Sequence, residues 1–512
     1  MNNIANNNKR IAQNTLLLYI RMLFTMIIGL YTSRVTLQAL GFEDFGIYNV
    51  VGGVIVMFSF LMASLGGASS RFITYEFGLN NPIKLKSTVG NILFIHLIFA
   101  GVILILGESI GLWFVKTQLN IAAHRMNAVM WIYQFSIFIA ICSIISIPYN
   151  AMIIAHERMK AFAYITLFDS IGKLASAFLI MTVNGDRLII YGLCLLVIQI
   201  IDRFIYGFYC FKHFEESKTK IAFDKQQAFE IFRFMGWKIG ADLAYMGYTQ
   251  GLNLILNIFY GSIVNAARGI AVQVQSIVRN FCINFQMAIE PQLVKSYAQN
   301  DFTRMHTLLL SSSKFSYYLL LILSLPIIFE TDIILHWWLS EVPEYTTSFV
   351  RIVLCLNMIL ALATPIVRSV EATGKLKHFE IAEMSCTLTI LPIAYIGVKF
   401  YNFSAEMLLA IPIFIECITQ IVRVKIASSM IMLPLKRYLK NVVLPILKVS
   451  IISPIIPFFI QQNISNNNLM SFFYVCGSSF VFTFITITFI GCTSSERKII
   501  LNYITNKIYS KK

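Results

Sequence analysis

Apolar runs of about 18 residues or more, each long enough to cross a bilayer core of roughly 30 Å, recur about fourteen times along the 512-residue chain. Nothing constrains the fold more, because in hydrocarbon every backbone N–H and C=O must bond inside its own helix or inside a closed barrel. Runs of this length select helices. They lie near 12–36, 45–68, 89–114, 127–150, 161–183, 187–211, 237–259, 262–288, 309–329, 346–368, 379–400, 405–427, 440–460 and 469–491. With 57% hydrophobic and 13% charged residues and a mean hydropathy of +0.71, the composition lies outside the range of soluble domains. The expected fold class is an all-α polytopic membrane protein.

The formal net charge of +16 would suit a nucleic-acid partner if the cations were clustered on a soluble face. They are instead in short loops between apolar runs, so nucleic acid is not an expected partner. With the N-terminus in the cytoplasm, the clusters Lys9/Arg10, Lys84/Lys86, Arg158/Lys160, Lys218/Lys220/Lys225, Lys295/Arg304, Lys375/Lys377, Lys436/Arg437/Lys440 and the tail from Arg497 all fall inside. The opposite loops hold Lys116, Arg125, Arg187 and Lys399, a contrast of about two dozen cations to about five that places both termini in the cytoplasm and favours an even number of spans. Nine cysteines are scattered with no C-x-x-C pair, so neither a disulfide framework nor a metal site is expected. The polar opening (MNNIANNNKR) runs into a full span without a small-residue cleavage site, and no removable signal peptide is expected.

A shift of 217 residues carries Pro148, Ala155, Lys160 and Phe162 onto Pro365, Ala372, Lys377 and Phe379, and Arg21 onto Lys238. Six spans per half is an even number, so the halves would share an orientation and be related by a pseudo-two-fold along the membrane normal. The expected organisation is an N-terminal six-helix lobe over 1–212, a basic and then amphipathic linker over 213–235, and a second six-helix lobe over 236–430. Two extra helices and a basic tail fill 431–512. Two such bundles would enclose a central cleft.

One stretch carries most of the chemistry. Residues 264–290 are apolar overall, yet Arg268, Gln275, Arg279 and Gln286 fall within about 20° of a single line along the helix. An arginine near the bilayer centre costs from about 3 to about 10 kcal/mol, so this face should meet protein or water. Span one adds Asn14, Arg21, Thr25 and Thr32, and span seven adds Lys238, Asp242, Tyr245, Thr249 and Asn253. Span two presents small residues, among them Gly52, Ser59, Ala63, Gly66 and Ser70, in the pattern of close helix packing. Candidate substrate contacts are Arg21, Arg268, Arg279, Lys238, Gln275 and Asn253. Asp242 beside Lys238, and Asp169 beside Lys173, each read either as a four-apart salt bridge or as a proton or sodium site. No cofactor is expected beyond such an ion. Several fixed cations with amide and aromatic neighbours suit an anion, above all a diphosphate that Arg grips bidentately, and a lateral opening would admit a lipid tail.

Several segments resemble one family. Ser33-Arg34, the run from Ala39 to Asn49 (ALGFEDFGIYN), residues 148–160 (PYNAMIIAHERMK), 265–269 (NAARG) and 290–292 (EPQ) are similar to the polysaccharide flippases of the Wzx type, in the multidrug/oligosaccharidyl-lipid/polysaccharide exporter superfamily. The resemblance implies a non-enzymatic transporter of the bacterial inner membrane that moves undecaprenyl-diphosphate-linked oligosaccharides to the periplasmic leaflet by alternating access. O-antigen, capsule or exopolysaccharide synthesis would be its pathway, with polymerase and chain-length proteins as pathway partners. Lipid II flippases are the nearest rival. Ion-coupled multidrug exporters typically carry an acid in span one, where this chain has Arg21 and Arg34. A membrane polymerase or glycosyltransferase would need a large acid-bearing outer domain, and the outer loops here are short.

The orientation has a direct check. Single cysteines at Asn184 and Asn468 should react with an impermeant maleimide added outside cells whose outer membrane is permeabilised, and one at Lys220 should not; the reverse pattern would invert the topology.

Overall fold

The structure, a computed structural model, describes residues 2–56, 59–117, 123–219, 223–339, 341–463 and 469–498. Lys220, Asn468 and the basic tail over 499–512 lie outside the described residues. The described residues contain helices and no strand, as backbone self-satisfaction in lipid requires. In chain order the α-helices are α1 (Asn2–Val56), α2 (Ser59–Gly78), α3 (Pro82–Leu106), α4 (Leu112–Thr117), α5 (Met126–Ala155), α6 (Met159–Thr182), α7 (Arg187–His213), α8 (Lys225–Tyr260), α9 (Ser262–Ala298) and α10 (Phe302–Phe329). They continue with α11 (Thr331–Trp338), α12 (Thr346–Thr373), α13 (Lys377–Leu388), α14 (Ile390–Tyr401), α15 (Ala405–Met430), α16 (Leu435–Tyr438), α17 (Leu444–Ile452), α18 (Ile455–Asn463) and α19 (Leu469–Thr486). Among the described residues, eleven stretches are long and apolar enough to cross a membrane. The expected spans near 45–68, 237–259 and 262–288 are not among them; α8 and α9 are continuous helices there, but their polar stripes lower the hydropathy.

The chain forms two compact units, Met1–Asp242 with Val294–Asn300, and Leu243–Leu293 with Asp301–Lys512. In the first, α5 lies against α7, α6 packs on α1 and α7, and α2 and α3 flank α5. In the second, α10 and α15 flank α12, α13 lies on α15, and α19 packs on both α10 and α18. A buried apolar core in the second unit draws Leu252 and Leu256 from α8, Ala267 and Ala271 from α9, Phe349 and Leu354 from α12 and Leu408 from α15.

Local sequence sets the helix ends. Asn81 accepts the amide of Lys84 at 3.1 Å with Pro82 in the first helical position of α3. Gly374, at φ 76°, ends α12 in the left-handed conformation that glycine adopts without strain. The repeat has a local structural counterpart in each unit: Pro148 lies seven residues before the end of α5 and Pro365 eight before the end of α12, and Lys160 and Lys377 open the helices that follow. Phe162 and Phe379 are buried at equivalent places.

Most hydroxyls in the apolar helices bond to their own preceding turn. Thr32 Oγ1 donates to the Ile28 carbonyl at 2.7 Å, Thr25 to Met22 at 3.0 Å and Ser143 to Ile139 at 2.8 Å. Satisfied in this way, a Thr or Ser can face lipid, so the hydroxyls of the span-one stripe do not by themselves mark a watery face.

The linker is fastened to α3. Gln227 Oε1 accepts from Asn91 Nδ2 at 2.6 Å and Ser87 Oγ at 3.1 Å, while its amide nitrogen donates to Thr88 Oγ1 at 2.5 Å. Asn91 Oδ1 accepts the Asp224 amide at 2.8 Å, and Phe223 lies against Phe94.

A charged clamp holds the break in α1. Gly41 sits at φ 78°, and just beyond it Asp44 accepts from Arg125 Nη2 at 2.7 Å, while Arg125 Nη1 reaches Asp186 at 2.7 Å. Arg187 donates to the Ala39 carbonyl at 3.1 Å on the other side of the break. Asp186 is also the N-cap of α7, accepting from the Leu188 amide at 3.1 Å. Partial burial raises its carboxyl, but the Arg125 hydrogen bond and charge and the capping amides outweigh this and hold it below the ordinary aspartate range. A depressed folded-state pKa contributes stability above the unfolded value near 4 and loses it as pH falls through the folded value. Arg125→Gln should therefore lower the apparent unfolding temperature in detergent at pH 7, and the gap to wild type should close in acid; a gap that is the same at pH 3 would contradict the clamp.

Candidate functional site

The stripe of α9 divides by partner. Arg268 is 7% exposed, and its Nη2 donates to the Thr249 carbonyl of α8 at 3.1 Å while Nη1 is buried without a hydrogen-bond partner. Arg279 Nη1 donates to the Tyr245 hydroxyl at 3.2 Å. The rings of Tyr245 and Tyr248 meet edge-on with centroids 5.1 Å apart, and both arginines lie within electrostatic reach of this pair. Their Cα atoms are about 16 Å apart along the helix, eleven residues at 1.5 Å each, so the long side chains bring the two guanidinium groups toward one place on α8. Among the described residues neither makes an ion pair with a carboxylate.

The two glutamines go elsewhere. Gln275 Nε2 donates to Asn357 Oδ1 on α12 at 3.2 Å, and Asn357 Nδ2 returns a bond to the Gln275 carbonyl at 2.9 Å. Gln286 bridges Ser316 Oγ at 3.0 Å and the Ala361 carbonyl at 3.1 Å. These amides tie α9 to α10 and α12. Asn253 donates to Gln250 Oε1 at 3.1 Å, on the same helix.

In the first unit, Arg21 lies 4.6 Å from the centroid of the Phe162 ring on α6 and within electrostatic reach of Tyr206 on α7. Asp169 accepts from Lys173 at 2.7 Å, one turn along α6. Asp242 accepts from Ser64 Oγ on α2 at 2.6 Å, and Lys238 is half-buried one turn earlier on α8. The structure thus groups Arg268, Arg279 and the two tyrosines in one unit and places Arg21, Lys238, Asp169 and Asp242 in the other.

Sequence reasoning missed several charged groups. Arg423 on α15, 5% exposed, donates Nη2 to Glu383 Oε1 on α13 at 2.7 Å and Nη1 to Glu416 Oε1. Glu416 and Arg423 are seven residues apart, two turns on one face of an apolar helix, and that spacing was the available signal. Lys314, 2% exposed, pairs with Glu496 at 2.6 Å beyond the last span. Glu157, 5% exposed, takes Arg10 and Lys295 on its two oxygens, each at 2.7 Å. Asp202, by contrast, stands out in the sequence as an intramembrane charge beside Arg203; on α7 it is 6% exposed with Oδ1 unpartnered, within reach of Asp169 and Lys173. No group of three His, Cys, Asp or Glu among the described residues is arranged to hold a metal.

No family model matches the sequence, and no curated protein matches it. Solved structures do match. A MATE crystal structure in the straight conformation superposes with a TM-score of 0.69 at 14% identity, covering 84% of this chain and 97% of that one. The outward-facing conformation of a multidrug resistance MATE family transporter of the MOP superfamily gives 0.72 at 14%, covering 83% and 96%. A MOP superfamily transporter from Pyrococcus furiosus Vc1 (DSM3638), described by the reverse polarity of its binding pocket, gives 0.68 at 13%, covering 83% and 96%. The chain has the fold of these MATE transporters, built of two helical bundles.

The division of the stripe generates a test. Gln275→Ala keeps the bond from Asn357 Nδ2 to the backbone carbonyl of residue 275 but leaves the buried Asn357 Oδ1 without its donor, at a cost of about 1–3 kcal/mol. It should lower thermal stability in detergent and leave activity per folded molecule near wild type, whereas loss of activity at unchanged stability would assign Gln275 to cargo.

Proposed function

We propose that the protein is a flippase for diphosphate-linked lipid oligosaccharides, acting in the bacterial inner membrane with both termini in the cytoplasm. One observation carries the reading: Arg268, bonded to the Thr249 carbonyl, and Arg279, bonded to the Tyr245 hydroxyl, both lie within electrostatic reach of Tyr245 and Tyr248, and among the described residues neither pairs with a carboxylate. A guanidinium in such a place costs several kcal/mol unless an anion compensates it. Among the described residues of this unit, the buried cations Lys314 and Arg423 have carboxylates of their own, whereas buried Arg268 has none. A diphosphate supplies two charges and the oxygen geometry that a guanidinium fork accepts, and the tyrosine rings offer the faces on which sugars stack. The acyl tail would stay in lipid. Proton or sodium coupling through Asp169 or Asp242, and pathway partners such as polymerase and chain-length proteins, belong to the same reading.

A second reading, an ion-coupled exporter of organic cations, is favoured by Asp202, whose carboxyl is buried with one oxygen unpartnered. The fold itself accepts both polarities, since the Pyrococcus neighbour is described as having a binding pocket of reverse polarity that suggests a different function. Lipid II differs from the proposed cargo only in its sugar and peptide.

In a strain lacking its own flippase, Arg268→Ala and Arg279→Ala should each reduce surface polysaccharide per folded transporter about tenfold or more, the loss of one charge-assisted contact of about 1.5–3 kcal/mol. Lysine at either position should restore part of it. Alanine variants of normal specific activity would reject the cationic site.

A further inference from the structure

In the first unit two acids stand beside one lysine. α6 and α7 are joined by residues 183–186 and run antiparallel, and they meet where a Cβ on Gly172 would come within 3.3 Å of the Ile198 side chain. Asp169 lies one turn before Gly172 and Asp202 one turn after Ile198, so the two carboxylates follow the same contact stripe in the same direction and face each other across it. Asp169 Oδ2 accepts from Lys173 at 2.7 Å, while Oδ1 of each acid is buried without a hydrogen-bond partner. Asp202 is 6% exposed, and among the described residues it makes no ion pair. The charged and titratable groups around it are engaged elsewhere. Arg203 lies over the Tyr149 ring of α5, 4.2 Å from its centroid. α5 runs parallel to α7, with Tyr149 beside Cys210 and Ile132 beside Gly192, which puts Ile141 and Cys142 at the level of Asp202. Arg21 of α1 lies over Phe162, two turns before Asp169, and near Tyr206, one turn beyond Asp202. Glu216, past the end of α7, is taken by His156 at 2.5 Å.

A carboxylate in apolar surroundings is costly unless a cation pairs with it or a proton neutralises it. Lys173 is spent on Asp169, and two facing carboxylates do not both ionise cheaply beside one lysine. Two carboxylates are too few for a metal, and no third His, Cys, Asp or Glu is arranged with them among the described residues. A proton is what remains. We propose that Asp202 is a proton carrier of this transporter: it holds a proton while Lys173 is paired with Asp169, and gives it up when the lysine is shared between the two acids. The step moves one proton from water to a carboxylate oxygen of Asp202 and later back to water, so one O–H bond forms and breaks and nothing is oxidised or reduced. Asp169 is then the group that fixes the lysine, and Lys173 is a positioning residue. A protonated Asp202 offers no charge to an organic cation. That this alternation drives movement of a diphosphate lipid rests on the reading above; that Asp202 binds a proton does not.

The test uses the full-length protein in nanodiscs and infrared difference spectra between acid and alkaline buffers. Wild type should show the C=O band of a buried carboxylic acid that disappears on deprotonation, and Asp202→Asn should lack it. Asp202→Glu keeps the acid: with isotope-labelled aspartate the band should move in wild type and stay in place in Asp202→Glu, an assignment that holds even where the asparagine variant misfolds. In liposomes, an imposed pH gradient should change several-fold the rate at which wild type moves a fluorescent polyprenyl-diphosphate sugar between leaflets. In Asp202→Asn the rates with and without the gradient should be equal, and in Asp202→Glu the difference should return. The band or the gradient response persisting in Asp202→Asn overturns the proton carrier, as does a wild-type response to a sodium gradient in place of a pH gradient. A band assigned to Asp202 in a protein that moves no diphosphate lipid would uphold the proton site and overturn the cargo reading alone.

Discussion

A charge or amide surrounded by apolar side chains must find a partner inside the protein, and this requirement organises both units of the chain. Backbone groups meet it by forming helices, and most serine and threonine hydroxyls meet it by bonding to the turn behind them. Amides meet it across helices: Gln275 with Asn357 and Gln286 with Ser316 join α9 to its neighbours, and Gln227 with Asn91 fixes the linker to α3. Most buried cations meet it with carboxylates, as Lys314 does with Glu496 and Arg125 with Asp44 and Asp186. Among the described residues, Arg268 is met by the Thr249 carbonyl and half-buried Arg279 by the Tyr245 hydroxyl, both beside the two tyrosine rings and neither in an ion pair with a carboxylate, and the functional reading grows from that exception.

The helical fold was legible because its cause is local. Run length decides between helix and loop in a membrane, and the offsets from Pro148 to Phe162 and from Pro365 to Phe379 recur because each proline precedes a helix end by nearly the same distance. Polar stripes were legible for the same reason, since the period of 3.6 is a property of one helix. Their partners were not. Arg268, Gln275, Arg279 and Gln286 lie on one line of α9, yet the arginines turn to α8 and the glutamines to α12 and α10, because long side chains diverge and the neighbours are set by tertiary packing.

The cluster of Glu383, Glu416 and Arg423 escaped sequence reasoning for a related reason. Glu416 and Arg423 share one apolar run and their spacing was readable, but Glu383 lies in another, and only the packing of α13 on α15 joins the three. The same holds for Glu157, whose two cations come from the first helix and from the last turn of α9. A membrane protein's charge pattern is therefore readable along a helix and unreadable across helices.

The central claim is that the cargo presents an anion to Arg268 and Arg279. The most direct measurement reconstitutes the purified protein in liposomes and follows two candidate cargoes separately, a fluorescent polyprenyl-diphosphate sugar and a lipophilic organic cation. The account predicts that the diphosphate lipid is moved between leaflets, that pyrophosphate competes, and that replacing both arginines by alanine stops it. Movement of the cation with no movement of the diphosphate lipid would contradict it.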